Sequence, residues 1–220
     1  MKKCLLIVCC LAFATGLNAR LRFGFKAGGV VSSISQKIGD VTDSNTKPRF
    51  GFLIGGMAEY SFDNEFALQP ELLYLLGGSE RRAREPISVA GAVSSTVETT
   101  TKLHYILLPV NLKYRFGIES AKFYAAAGPY FGVAVGGNIK NTYTYEVFGV
   151  TVTSGNERDP FASDNRIFKR ADFGMGVGLG VEIRKITLGV GYNFGLANIA
   201  DTPNATSRTG TFSFSAGYFF

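Results

Sequence analysis

Between Arg170 and Arg184 the chain alternates without a break. Ala171, Phe173, Met175, Val177, Leu179, Val181 and Ile183 fall on one parity; Arg170, Asp172, Gly174, Gly176, Gly178, Gly180, Glu182 and Arg184 fall on the other. A period of two means an extended strand with two distinct faces. One face is apolar and the other is glycine with charge at both ends. A soluble sandwich would bury the apolar face but gain nothing from the glycine one, because glycine weakens a strand and packs nothing. A small transmembrane barrel uses both. Apolar side chains meet lipid, and glycine leaves room in a narrow lumen for large side chains from other strands. Ile186, Leu188, Val190, Tyr192, Phe194 and Leu196 alternate in the same way with Thr187, Gly189, Gly191, Asn193, Gly195 and Ala197. Phe212, Phe214, Ala216, Tyr218 and Phe220 alternate with Thr211, Ser213, Ser215, Gly217 and Phe219, and Phe219 breaks the polar parity.

The long continuous apolar run is confined to the start. Lys2 and Lys3 precede residues 5–13, and Leu17-Asn18-Ala19 ends on a small residue. This reads as a secretory signal over residues 1–19, too short in its apolar part to span a bilayer. Residues 20–220 then form the mature barrel domain. All three cysteines, Cys4, Cys9 and Cys10, lie in that leader. Cys9 sits in mid-run after Ile7-Val8, which does not suit lipidation, and the mature part has no disulfide framework or thiolate metal site. The formal charge of +6 includes Lys2 and Lys3, so removing them leaves +4. Arg81, Arg82 and Arg84 are the one tight basic group. They read as a solvated loop, with weak attraction to acidic sugars as the sharper alternative. Nucleic acid would need a basic face, and export argues against it.

Taken in order, strands are predicted at 21–33, 50–62, 65–77, 102–116, 122–136, 170–184, 186–197 and 210–220. Short turns fall near Asp63-Asn64, at 117–121 and at Arg184-Lys185; long polar connections fall at 34–49, 78–101, 137–168 and 198–208. The facing of 122–136 is ambiguous, since apolar residues occupy both parities. Connections that alternate long and short define an all-β, eight-stranded antiparallel up-and-down transmembrane β-barrel. Both termini then lie on the periplasmic, short-turn side. The Val- and Thr-rich segment 89–101 suggests that flanking strands project beyond the membrane. Residues 142–153 suit a hairpin outside it; ten strands would require that hairpin to cross the membrane and would put a short turn on the long-loop side.

Inward parity collects Lys26, Glu59, Glu71, Lys113, Arg115, Asp172, Glu182 and Arg184. An eight-stranded lumen is about wide enough for side chains alone, so charges of both signs read as an ion-paired plug. A polar conduit is the other reading. His104 shares the outward parity near a loop end and has no marked partners for a triad or a metal. The Gly-x-Gly run at 174–180 is followed by no helix, so the dinucleotide reading fails and no cofactor is expected. Tyr60, Tyr74, Tyr114, Tyr192 and Tyr218 suit an interfacial aromatic belt.

Several stretches carry a family resemblance. They are Phe23-Gly24-Phe25-Lys26-Ala27-Gly28-Gly29, Ala58-Glu59-Tyr60-Ser61-Phe62, Leu68-Gln69-Pro70-Glu71-Leu72-Leu73-Tyr74, Leu107-Leu108-Pro109-Val110-Asn111-Leu112-Lys113-Tyr114, Ala127-Gly128-Pro129-Tyr130, Asp172-Phe173-Gly174 and Gly191-Tyr192-Asn193-Phe194-Gly195-Leu196. In these the chain resembles the PorT-like outer-membrane β-barrel proteins of Bacteroidetes. The resemblance implies an integral outer-membrane barrel in contact with lipid, and accounts for Pro70 and Pro109 inside strands. It brings no catalytic set, and one branch of the family is linked to secretion. It also implies that the barrel assembly machinery reads the C-terminal strand through Phe212, Phe214, Tyr218 and Phe220. The expected function is therefore non-enzymatic, in envelope architecture, surface interaction or as a secretion accessory with an unidentified partner. A narrow channel for small solutes is the alternative.

Overall fold

The computed structural model describes residues 20–38, 41–42, 46–86, 93–118, 121–147, 150–162, 167–201 and 205–220. The proposed leader lies outside them. The strands are β1 (Arg20–Ile38), β2 (Val41–Thr42), β3 (Thr46–Ser61), β4 (Phe66–Pro86), β5 (Val93–Ile118), β6 (Ala121–Val147), β7 (Val150–Arg158), β8 (Ala171–Ile183), β9 (Ile186–Gly195) and β10 (Ala205–Phe219). Pairing runs β1-β3-β4-β5-β6-β8-β9-β10, and β10 pairs back onto β1 from Gly24↔Phe219 to Ile38↔Ala205. Eight strands thus close a ring, all antiparallel. β2 is a short return on β1, and β7 pairs only with β6. The hairpin at 142–153 is therefore outside the ring, as one reading of the sequence had it, and ten membrane strands are excluded. Gly149 itself lies outside the described residues.

Parity decides facing. On β8, residues 171, 173, 175, 177 and 179 are exposed while Asp172, Gly174 and Gly176 are buried. On β6, Phe123, Phe131, Val133 and Val135 point out; Tyr130 and Ala134 point in. That settles the strand the sequence left ambiguous. The outward face is apolar on every ring strand, for example Phe23, Phe52, Leu72, Leu112, Phe131, Leu179, Leu188 and Phe214. Aromatic rings gather at both margins of this band. Tyr60–Phe62, Phe66–Tyr114, Phe116–Phe123 and Tyr218–Phe220 flank the short-turn end; Phe52–Tyr74, Tyr74–His104 and Tyr192–Phe194 flank the other. Interfacial girdles of this kind suit rings that are apolar in body and wet at one edge. His104 belongs to the second girdle, its Nδ1 2.5 Å from Tyr74 Oη.

The short turns have local causes. Asp63 Oδ1 accepts hydrogen bonds from the backbone amides of Glu65 at 2.7 Å and Phe66 at 2.5 Å. Those amides hold the Asp63 carboxyl below its ordinary value. Arg184 takes the left-handed φ of 56° needed to return β8 into β9.

The polar connections hold much additional strand. The strands flanking 78–101 project as the Val- and Thr-rich segment suggested: β4 continues to Pro86 and β5 starts at Val93, paired from Ser79↔Thr101 to Pro86↔Ser94. β6 and β7 extend the same sheet, from Thr101↔Ile139 to Val93↔Val147 and from Ile139↔Arg158 to Val147↔Val150. The part of β5 from Val93 to Thr101 stands clear of the apolar band, roughly 30 Å of strand. Threonine and valine keep this segment extended when the lipid contacts that favour strand below are gone. Arg81 and Arg82 lie on this sheet, not in a loop, and Arg82 pairs with Glu98 at 2.7 Å. The sheet leaves the barrel at a bend. The β5–β6 register shifts between His104 and Tyr105, and Gly78 adopts φ 149° where a Cβ would strike the Thr101 carbonyl. Ser32 fixes that bend: its Oγ accepts from Gly78 N at 2.7 Å and donates to Gly78 O at 3.0 Å.

Inside the barrel Gly180 of β8 and Gly189 of β9 face the bulk of Tyr124 from β6. A Cβ on Gly189 would meet chiefly the Tyr124 hydroxyl. Gly189→Ala is therefore expected to destabilise the detergent-refolded barrel by about 1–3 kcal/mol through overpacking. Tyr124→Phe in the same chain should recover most of it, as read by urea unfolding of both variants and the pair.

Candidate functional site

The interior is layered, and its ion-paired charges occupy the short-turn half. Glu59, wholly buried on β3, sits among three cations. Lys113 Nζ lies 2.9 Å away, Arg115 Nη1 2.9 Å and Arg22 Nη2 2.6 Å. Glu182 on β8 accepts from the same Lys113 at 3.2 Å and meets Arg22 at 2.6 Å. Five side chains from β1, β3, β5 and β8 thus form one network. Lys113 is only 1% exposed, and its ammonium also lies 4.2 Å from the centroid of the Tyr124 ring. Phe219 closes this layer: buried, it places its ring 3.9 Å from the Arg22 guanidinium carbon. The residue that broke the polar parity of β10 thus points inward as a stacking surface for a cation.

One layer up, Lys26 from β1 binds both oxygens of Glu71 on β4, at 3.0 and 2.9 Å, and Gln69 donates to Glu71 Oε1 at 2.5 Å. Asn111, Asn193, Ser213 and the glycines of β8 and β9 line a cavity of about 80 Å³ beside this pair.

The charges expected together on inward parity therefore separate. Lys26, Glu59, Glu71, Lys113, Arg115 and Glu182 are brought into two adjoining groups. Asp172 is buried but stands apart, meeting Thr209 Oγ1 at 2.7 Å and Tyr130 Oη at 3.5 Å. Arg184 is not in the lumen. The left-handed turn carries it to the open mouth, where its side chain is exposed. Arg22 was missed, although it shares the inward parity of Lys26, because it sits so close to the start of the first strand.

The other half of the interior is apolar, which corrects the expectation of a polar lumen. Val30, Ile34, Leu53, Leu73, Leu75, Leu103, Tyr105 and Leu107 form one buried cluster. The parity rule hid them, because an inward leucine looks no different from an outward one on a strand such as β4. The end of the connection at 137–168 and the start of the one at 198–208 were expected as loop, yet they cap this cluster. Phe161, Phe168 and Ile199 are 4%, 2% and 0% exposed. Backbone bonds lock the cap: Lys169 N to Ile199 O at 2.7 Å, Asp201 N to Ile167 O at 3.0 Å and Ile199 N to Ser207 O at 2.9 Å. Asn198 Oδ1 accepts from the amides of Ala200 and Ser207.

On the outside, Phe212, Phe214, Tyr218 and Phe220 all face away from the lumen. Tyr218 and Phe220 pack on Phe25 across the closing seam, with centroids 6.0 and 6.2 Å apart, and Phe220 N still bonds Phe23 O at 2.9 Å.

A closed ring of eight strands, apolar outside and filled within, defines an integral outer-membrane β-barrel protein. The sequence matches the family described as outer membrane protein beta-barrel domain over residues 13–201, and the chain belongs to that family. Solved structures of similar fold include Ail of Yersinia pestis, with 16% identity, 90% of this chain and 98% of that chain covered, and a TM-score of 0.36. Neisserial surface protein A gives 18% identity, 90% and 97% coverage and a TM-score of 0.43. OprG of Pseudomonas aeruginosa gives 13% identity, 90% and 95% coverage and a TM-score of 0.45. No curated protein matches the sequence.

Breaking the lower network should cost more than breaking the upper pair. Glu59→Gln leaves three cations short of an anion in a dry site and is expected to cost about 3–5 kcal/mol. Glu71→Gln should cost clearly less, because Lys26 stays partly exposed to a cavity that admits water. Urea titration of the two variants in the same detergent ranks them; equal losses would contradict the layered arrangement.

Proposed function

We propose that the protein is a non-enzymatic, non-conducting platform of the outer membrane that holds a protruding sheet outside the cell for surface interaction. The observation that carries this is the extension of β4, β5, β6 and β7 beyond the apolar band, over a lumen filled by ion pairs, leucines and a cap. In this reading residues 1–19 are removed on export and the short turns face the periplasm. The finer placement among PorT-like proteins of Bacteroidetes, with a role as secretion accessory or in envelope architecture, rests on the resemblance in the motifs given above. A narrow solute channel would use the cavity beside Lys26 and Glu71, and the leucine layer and cap stand in its way. His104 bonds Tyr74 on the outer girdle.

The test trims the sheet. Replacing residues 79–100 and 138–158 by short turns leaves all eight ring strands, so the variant should still assemble in cells. Surface-dependent behaviour, read as adherence and aggregation of a deletion strain carrying it, should be lost. Full complementation by the trimmed barrel would move the function to the barrel body, and steady large conductance in planar bilayers would move it to transport.

The C-terminal strand carries a second expectation. If Phe212, Phe214, Tyr218 and Phe220 are read by the assembly machinery, deleting Phe220 should leave unfolded precursor in the periplasm while refolding in detergent stays near normal. If Phe220 only packs, cells and detergent should suffer alike, by roughly the 1.5–3 kcal/mol of one apolar side chain.

A further inference from the structure

The apolar half of the lumen contains one carboxylate that no cation among the described residues pairs. Asp172 is 3% exposed. Its Oδ2 takes both available hydroxyl donors, Thr209 and Tyr130, and its Oδ1 has no hydrogen-bond partner. Across the lumen Tyr105, 4% exposed, also ends in a hydroxyl without a partner. Both residues line one cavity of about 30 Å³, together with Ser32, Asn193 and Thr211. Two buried oxygens without partners in one cavity make it suited to a polar or charged particle, since buried polar groups are otherwise paired.

Charge narrows what that particle is. Among the described residues Asp172 forms no ion pair. Arg22, Lys26, Lys113 and Arg115 are taken by Glu59, Glu71 and Glu182 in the lower layers. Arg170 shares the face of Asp172 but is committed to the cap, its guanidinium carbon 4.9 Å from the Phe161 centroid and its Nη1 donating to Ala134 O at 3.2 Å. The remaining walls include Ile34, Leu75, Leu103 and Leu107. A lone carboxylate there is costly unless a cation meets it or it takes up a proton, and only the cation makes the stability depend on which salt is present.

We propose that this cavity is a binding site for one monovalent inorganic cation, sodium or potassium, held by Asp172 Oδ1 and Tyr105 Oη. The volume suits it: about 10–15 Å³ accommodates one water-sized particle, so a bare ion and one water fill the space. A divalent ion is a poor match, because the single carboxylate lining the cavity would leave one of its two charges uncompensated among leucines. Thr209 and Tyr130 are engaged with Oδ2, and Ser32 with Gly78, so the ion's remaining ligands are the Asn193 side chain and water. The bound ion would bridge β5 and β8 beneath the cap and tie both to the closed lumen.

The experiment melts the purified full barrel in detergent at one ionic strength in sodium chloride, potassium chloride or N-methylglucamine chloride. Wild type should show a saturable rise in melting temperature with sodium or potassium and none with the bulky organic cation, and the two inorganic arms say which ion fits. Asp172→Asn should melt higher than wild type in N-methylglucamine and lose the ion response. Tyr105→Phe should keep the fold and bind the ion about tenfold more weakly, as for one lost ligand. Equal melting of wild type in all three salts, or an undiminished ion response in Asp172→Asn, would overturn the proposal and give the cavity to ordered water. Should Asp172→Asn fail to fold, Tyr105→Phe decides: an unchanged apparent affinity rejects the site.

Discussion

Everything in this molecule depends on the seam between β1 and β10. In lipid no water is present to bond a stray amide or carbonyl, so a sheet that crosses the bilayer must leave no edge. The register from Gly24↔Phe219 to Ile38↔Ala205 removes the last one. Phe25, Tyr218 and Phe220 cover it on the lipid side, and the final amide of the chain still bonds across it. The prolines obey the same constraint from the other direction. Pro70, Pro109 and Pro129 fall where ladders are interrupted, between Pro70↔Val110 and Leu73↔Leu107 and between Pro109↔Tyr130 and Leu112↔Ala127. Missing donors are thus gathered at gaps and not left facing lipid.

Closure at eight strands then dictates the interior. A ring this small has room for side chains and little else, so its walls share the space unequally. Gly180 on β8 and Gly189 on β9 give way to Tyr124, while β3, β4 and β5 supply much of the apolar bulk. Charges are admitted only where a partner stands opposite. Glu59 is satisfied by three cations, Lys113 by two carboxylates and an aromatic face. A buried pair of this kind adds little net stability over apolar packing, but removing one member strands the other. The network therefore acts as a register lock, since a slip of any contributing strand by one residue would turn its charge out to lipid. Asp172 is the exception, and its isolation is what sets it apart as a site.

The fold was legible because its signal is periodic. Alternation on residues 170–184, 186–197 and 210–220 states both the strand and its two environments, and the ring has the eight members that this pattern and the short turns required. The site was legible only by halves. Parity put Glu59, Glu71, Lys113 and Glu182 inside, yet it also put Arg184 there, because alternation is blind to the turn that breaks it. It overlooked Arg22 at the head of the first strand. It said nothing of Leu73, Leu75 and Leu107, since an apolar residue satisfies either face of a barrel whose lumen is partly dry.

By itself the sequence determined which residues extend, which face lipid and where the chain must close, because each of those follows from neighbours two apart on one strand. Only the tertiary structure decided which inward residues share a level. That depends on strand tilt and stagger around the ring, a property of all eight strands together. Stagger brings Lys113 to Glu59 and Glu182 and leaves Asp172 above them among leucines. Val and Thr content pointed to projecting strands around 89–101 and to a hairpin at 142–153, but their length and register were set by long-range pairing among β4, β5, β6 and β7. The distant segments around Phe161, Phe168 and Ile199 became a cap for the same reason: burying their apolar side chains requires a surface that exists only once the barrel has closed.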